Sequence, residues 1–242
     1  MKILITGSNG FIGKNLIAKL SESSEYTIET FDSENTLDEL NEYTKDCDFV
    51  FHFAAVHRPK DNSEFYKTNV GLTKILISYL EDNNNNCPIL LTSSIQANDA
   101  NDYGESKREA EKAVFDHQAK TGANAIVYRL TNTFGRWATP NSHSVVATFC
   151  YNTSKGLPIS ISAPEHIINL YYIDDVINDF VIHLKSDVPP NFGKFYTLKD
   201  EQIFHVTLGD LAESIKKFSE NPEQKFTNTF EEHLYNTFIS YK

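Results

Sequence analysis

Tyr103 and Lys107 stand four residues apart, a spacing that puts both on one face of a helix, a turn from each other. A phenol and an ammonium so placed act as one proton-transfer unit. The charge favours the phenolate and draws the tyrosine pKa down from about 10 toward the working pH, where general acid and base catalysis is effective. The same spacing recurs in Tyr151 and Lys155, so the surroundings must separate the two pairs. Residues 88–91 read as a buried strand delivering Thr92-Ser93-Ser94 at its C-terminal end, where open parallel sheets present ligand-facing residues. Ser94 thereby becomes the third partner of Tyr103 and Lys107. Tyr151 has no comparable strand-end serine shortly before it and reads as a tyrosine on a packed helix.

The elements that must position these groups begin at the N-terminus. Residues 2–6 form a short apolar run that ends in Gly7-Ser8-Asn9-Gly10-Phe11-Ile12-Gly13, followed by Leu16, Ile17 and Leu20 at helical spacing. Strand, glycine turn and helix are the elements of a dinucleotide site. Glycines let the backbone approach a pyrophosphate, and the free amides of a helix N-terminus favour its charge. Gly7, Asn9, Gly10, Phe11, Ile12 and Gly13 are the candidate cofactor-binding residues. A second strand over 26–31 closes on Asp32, about 20 residues beyond the glycines, where an acidic side chain accepts hydrogen bonds from the adenosine ribose and repels a 2′-phosphate. The nearly wholly apolar run 48–55 reads as a central parallel strand whose end residues Phe53, Ala54 and Ala55 leave room for a cofactor across the strand tips.

Further along, 63–80 has helical periodicity, the helix bearing Tyr103 continues through Ala110 and Val114, and 125–129 is another strand. This alternation predicts an α/β fold with a doubly wound parallel sheet. Beyond Gly135 the pattern changes to a loop, a helix over 142–154, a short strand near Ile159, and a run at 170–173 leading into Asp174-Asp175. A helix over 176–184, a strand over 194–198, a cap at Thr207 and a final helix over 230–241 complete the chain. The expected division is a dinucleotide-binding domain of residues 1–135 and 174–185, with a small substrate-binding region of 136–173 and 186–242.

The bulk properties narrow the partners. A 242-residue chain of net charge -11 disfavours nucleic acid or an anionic membrane as its main partner. Three separated cysteines, with no CxxC, suit a reducing cytoplasm. No HExxH or Cys/His cluster appears, so no metal site is expected. The N-terminus does not resemble a signal peptide, and no stretch is long enough to span a bilayer. A soluble, cytoplasmic protein is the expectation.

With these residues placed, the chain resembles the extended short-chain dehydrogenase/reductase family, from the glycine turn through Tyr103 and Lys107 to Tyr171-Tyr172-Ile173-Asp174-Asp175. It is similar, more narrowly, to the reductase half of the bacterial capsular polysaccharide enzymes that make UDP-N-acetyl-6-deoxy-L-talosamine. The motifs are Ser93-Ser94-Ile95-Gln96-Ala97, Tyr103-Gly104-Glu105-Ser106-Lys107, Phe134-Gly135-Arg136-Trp137, the run 144–151 and Val206-Thr207-Leu208-Gly209.

That resemblance implies NADPH-dependent reduction of the C4 ketone of a UDP-2-acetamido-2,6-dideoxy-hexulose. Tyr103 would protonate the developing C4 oxyanion, Lys107 would hold the nicotinamide ribose, and Ser94 would hydrogen-bond the ketone. Asn69 would support Lys107, Asn132 would contact the diphosphate, and Arg58, Arg136, Trp137, Asn141 and Ser144 would grip substrate. Asn69 and Asn132 read equally well as helix or loop caps. Asp32 stands where those enzymes carry a basic residue, so the expected cofactor is NADPH by resemblance or NADH by charge. Relatives pair through helices corresponding to 63–80 and 101–120, implying a homodimer. They also continue into a cupin domain that would begin near Ile239-Ser240-Tyr241-Lys242, so a separate or missing cupin partner is expected. The rival readings are a nucleotide-sugar epimerase with tightly bound NAD and a noncatalytic dinucleotide-sensing protein.

Overall fold

The apolar runs of the sequence assemble side by side, each ending at the same edge of one parallel sheet. The computed structural model describes residues 1–142, 144–185, 193–221 and 225–242. The chain forms two compact units, Met1–Leu130 with Phe180–Thr197, and Thr131–Asp179 with Leu198–Lys242.

In the first unit β1 (Lys2–Thr6), β2 (Thr27–Phe31), β3 (Phe49–His52), β4 (Ile89–Ser94), β5 (Ala125–Leu130) and β8 (Phe195–Tyr196) pair in the order β2-β1-β3-β4-β5-β8. Every pairing in this sheet is parallel. The chain leaves β1 toward β2 and returns to β3 on the other side, so the strand order reverses between β1 and β3. Such a switch point, at the carboxyl ends of the strands, is where open α/β sheets bind ligands.

Alternate residues of each strand face opposite layers. Leu4, Val50, Leu91 and Val127 pack with Leu40 of α2 (Leu37–Tyr43), Leu76 and Leu80 of α3 (Thr73–Asp82), and Ala110 and Val114 of α4 (Asp102–Thr121). On the other face Phe49, Phe51 and Phe53 form a ring ladder that reaches Phe180, which in turn meets Tyr128. Each fully buried side chain of this size contributes about 1.5–3 kcal/mol, which fixes the strand tips.

Local sequence sets the helix ends. Gly10 precedes α1 (Phe11–Leu20) and offers no side-chain acceptor to its first amides. Thr36 and Glu39 cap α2 reciprocally, and Asn101 opens α4 by accepting the Gly104 amide at 2.8 Å. The helical run expected over 63–80 starts instead as a π-helical segment, Phe65–Leu72, before becoming α3. There the Thr73 hydroxyl donates to the Asn69 carbonyl at 2.7 Å, a side-chain bond that competes with the regular helical ladder. Strand β8, which sequence patterning groups with the appended region, pairs with β5 through Val127 and Tyr128.

The second unit holds a sheet of β6 (Asn132–Phe134), β7 (Ile167–Tyr172) and β9 (Phe204–Thr207), with β7 in the middle, parallel to β6 and antiparallel to β9. Helices α5 (Val145–Ser154), α7 (Leu208–Glu220) and α8 (Thr229–Ile239) belong to this unit, and α6 (Ile173–Ile182) begins in it. The strand expected near Ile159 does not form: residues 157–163 are irregular, and Pro158 has no amide to donate to a ladder. The helix expected from residue 142 starts at Val145, and His143 lies outside the described residues. Among the described residues no helix is long and apolar enough to cross a membrane, and no group of three or more His, Cys, Asp or Glu is placed to hold a metal ion.

Candidate active site

The glycine turn joins three strand tips. Gly7 has a φ of 72°, and a Cβ there would lie 2.6 Å from the Ala54 nitrogen, so only glycine lets the end of β1 pass against the residues after β3. The Gly7 amide donates to the Phe31 carbonyl at 2.8 Å, closing the turn onto β2. Asp32 follows directly, its carboxylate accepting from the Ser8 hydroxyl and from the Asn9 amide at 3.0 Å. Asp32 is thus anchored to the glycine turn at the tip of β2. Gly10, Phe11, Ile12 and Gly13 form the first turn of α1, while Phe53, Ala54 and Ala55 follow β3 beside Gly7.

Ser94, Tyr103 and Lys107 converge in the same unit. Ser94 ends β4, accepts the Gln96 amide at 3.1 Å, and hydrogen-bonds the Tyr103 phenol. Lys107 is 4% exposed and donates to the Thr92 carbonyl at 2.8 Å. Burial pushes its pKa down to about 8, against an upward pull from Glu111. Tyr103 differs from the sequence expectation. Its pKa is raised, because burial outweighs the opposing Ser94 hydrogen bond, and the nearby lysine spends a donor on Thr92. The tyrosine is therefore stored as the protonated phenol, edge-on to His57 with centroids 4.6 Å apart and tilted against Phe65.

Gly104 explains how this helix approaches its strand. A Cβ there would meet the Gln96 carbonyl at 2.4 Å and the Asp99 carbonyl at 2.7 Å. Arg108 ties the same turn down, donating to the Ala97 and Asp99 carbonyls at 2.5 and 2.8 Å. Sequence reasoning took Gly104 only as part of a motif and did not single out Arg108, although a glycine in the first turn of a helix is a signal of close backbone approach.

Behind the triad runs a directed chain of buried hydrogen bonds. The Thr73 hydroxyl donates to the Asn69 carbonyl, so it accepts from His52 Nε2, 2.8 Å away. His52 Nδ1 then accepts from Thr6, 2.6 Å away, and the Thr6 hydroxyl accepts the Ala54 amide at 3.3 Å. Asn69 is 1% exposed. Its amide accepts the Val56 N–H at 2.8 Å and donates to the Val56 carbonyl and to Ser106 at 3.1 and 3.0 Å. Ser106 in turn donates to the Tyr103 carbonyl at 2.7 Å. Asn69 therefore braces α4 through Ser106. Arg58 lies on the exposed loop after β3.

The remaining candidates lie in the second unit. Asn132 is exposed at the start of β6. Gly135 leaves no room for a side chain, since a Cβ would sit 2.1 Å from Ile173 Cγ2. Arg136 pairs with Asp174 at 3.2 Å, and its guanidinium lies 5.1 Å from the Trp137 ring centre, within cation-π range. Trp137, 46% exposed, and Asn141 both have left-handed backbones, φ 69° and 57°. The Asn141 amide donates to Thr148 at 2.9 Å, and the Ser144 hydroxyl caps α5 by accepting the Ala147 amide at 3.2 Å. The second tyrosine-lysine pair ends differently from the first: Lys155 is exposed at the C-terminus of α5.

Three relatives bear on this arrangement. The UDP-2-acetamido-2,6-beta-L-arabino-hexul-4-ose reductase of Pseudomonas aeruginosa is 36% identical to the whole of this chain, which spans 65% of that protein. The capsular polysaccharide assembling protein CapF of Staphylococcus aureus superposes on the whole chain with a TM-score of 0.88 at 34% identity, over 66% of its own length. The UDP-glucuronic acid 4-epimerase of Bacillus cereus, solved with NAD, shares the fold with a TM-score of 0.84 at 18% identity, each chain covered in full. The chain thus spans just under two thirds of the first two. The model of the NAD dependent epimerase/dehydratase family matches residues 3–193, the stretch that carries the glycine turn, Ser94, Tyr103 and Lys107, and the chain belongs to that family.

Proposed function

We propose that the protein reduces the C4 ketone of a UDP-2-acetamido-2,6-dideoxy-hexulose. The observation that carries this reading is the protonated Tyr103 hydrogen-bonded to Ser94, one helical turn from a buried Lys107, in a chain 36% identical along its length to a named 4-ketoreductase.

The glycine turn, the uncapped first turn of α1 and the anchored Asp32 fit a dinucleotide, and a bound nicotinamide supplies the hydride. As negative charge grows on the ketone oxygen, Ser94 donates a hydrogen bond to it and Tyr103 delivers its proton. Donors fixed in place act where the charge develops, in the transition state. Burial raises the Tyr103 pKa, so the group starts as the phenol and gives up its proton as charge develops on the ketone oxygen. Lys107 carries the positive charge that offsets the phenolate left behind and orients the nicotinamide ribose. The Asp32 carboxylate favours a ribose with a free 2′-hydroxyl, hence NADH over NADPH. Across the diphosphate, Asn132 and Arg136 supply polar and charged donors, with Trp137 beside them. The reading includes a homodimer and a cupin-type epimerase, fused or separate, acting on the same sugar.

A panel of UDP-4-keto-sugars with NADH or NADPH, followed by nicotinamide oxidation, tests this. Turnover is expected, and Tyr103→Phe should lower it by at least about a hundredfold. Tightly bound NAD with no net consumption of added cofactor would instead identify an epimerase, and intact turnover in Tyr103→Phe would overturn the mechanism.

A further inference from the structure

Two of the cysteines touch. Cys47 stands in the turn that enters β3 and Cys87 in the turn that enters β4, and their Sγ atoms lie 3.7 Å apart although 40 positions separate them in the chain. The parallel pairing of those strands, Val50 with Ile89, brings the two turns side by side. Asn85 clamps them together. Its side-chain carbonyl accepts the Cys87 amide at 3.0 Å, while Nδ2 donates to the Thr44 and Cys47 carbonyls, each at 2.9 Å, and lies 3.6 Å from Cys47 Sγ. Two donors therefore face the Cys47 sulfur, the Cys87 thiol and the Asn85 amide. The hydrogen bond between the sulfurs favours the Cys47 thiolate and pushes the Cys87 thiol up, and the thiolate is the reactive form.

We propose that Cys47 and Cys87 form a modification site, a dithiol that a hydroperoxide converts into a disulfide joining the entries of β3 and β4. The inference stands apart from the reductase reading and uses none of the residues assigned to turnover.

The Cys47 thiolate attacks one oxygen of the peroxide. The O–O bond breaks, the departing hydroxide leaves as water with the proton shed by the thiol, and Cys47 becomes a sulfenic acid. The Cys87 sulfur then attacks the Cys47 sulfur. The S–O bond breaks as the S–S bond forms, and a second water carries away the Cys87 proton. Two electrons pass from the sulfur pair to the peroxide. Both thiols are buried, 3% and 8% exposed, but only one residue deep: Asp46 and Asp48 flank Cys47 and Asn86 precedes Cys87, all three exposed. A molecule as small as a peroxide has a short path to them. The pair lies at the amino ends of the strands, whereas Ser94 ends β4 and Ala54 follows β3 at their carboxyl ends. Closing so long a loop restrains the unfolded chain. In a reducing compartment the pair rests as the dithiol, and its disulfide is transient.

The test exposes the folded full chain to hydrogen peroxide, then reads the intact mass and, after alkylation of remaining thiols, the proteolytic peptides. The protein should lose about 2 Da, the mass of two hydrogens, with Cys47 and Cys87 in one linked peptide pair and Cys150, which belongs to the second unit, alkylated. In urea, where no fold selects the partner, all pairings of the cysteines should appear together. A dithiol reductant should restore the parent mass, and the oxidised protein should unfold at higher urea than the reduced one. Cys47→Ser and Cys87→Ser should each abolish the mass loss, and Cys150→Ser should keep it. Should either of the first two substitutions prevent folding, the peptide map of the parent decides alone. Oxygen added at a sulfur in place of the linked pair overturns the proposal, as do an unchanged mass, a folded protein giving the mixture seen in urea, and a lower urea midpoint after oxidation. Absence of turnover on any UDP-4-keto-sugar would sink the reductase reading and leave this result standing.

Discussion

Replacing Gly104 by alanine adds one methyl group beside Tyr103. That carbon would lie 2.4 Å from the Gln96 carbonyl and 2.7 Å from the Asp99 carbonyl. Both obstacles are backbone, and the turn that carries them is tied by Arg108, so neither side chain rotation nor loop drift relieves the clash. Reaching even a 3.0 Å contact requires α4 and the turn to separate by about 0.6 Å. Overpacking of this kind costs about 1–3 kcal/mol, while alanine returns about 1 kcal/mol of helix propensity relative to glycine. Net destabilisation is therefore modest, about 0–2 kcal/mol. Turnover should suffer more, because the displacement opens the Ser94–Tyr103 hydrogen bond, and a misplacement approaching 1 Å at reacting groups costs up to about a hundredfold. The assay pairs urea unfolding with kcat on the best UDP-4-keto-sugar and with cofactor affinity, which should hardly change. A folded Gly104→Ala with parental kcat would refute the claim that this contact sets the distance from Tyr103 to its substrate.

Two other perturbations probe the same unit. His52 is buried, and burial followed by the Lys107 charge lowers its pKa to about 3. The unfolded chain binds a proton near its ordinary 6.5, so stability should fall as pH drops from about 6.5 toward 3, by at most about 5 kcal/mol. Urea unfolding from about pH 6.5 to 4 should show a shallower loss in His52→Gln than in the parent, and parallel slopes would contradict this. Asp32→Ala removes the charge anchored by Ser8 and Asn9, and the ratio of kcat/KM for NADH to that for NADPH should fall by about tenfold; an unchanged ratio would show that Asp32 does not face the 2′ position.

What the sequence disclosed followed the strength of its local signals. The strands β1, β3, β4 and β5 are nearly continuous apolar runs bounded by turn residues, and such runs have few places to go other than the middle of a parallel sheet. Strands β6 and β9, of three and four residues, lacked the length to register as a period. They exist because Ile167–Tyr172 provides a partner on each side, a long-range fact invisible in any short window. The π-helical start of α3 escaped for a related reason: Asn69 within it is buried and held by residues 13 positions before and 37 after it.

The candidate site shows the same division between type and environment. Two tyrosine-lysine pairs share one spacing, and the spacing alone assigns neither to catalysis. The structure separates them by what each lysine can reach. Lys155 ends its helix in solvent, where its charge is screened. Lys107 lies buried under the strand tip, bonded to the Thr92 carbonyl, where a unit charge acts at much lower effective dielectric. The same environment overturned the expected direction for Tyr103: burial penalises the phenolate, and that penalty outweighs the opposing hydrogen bond from Ser94.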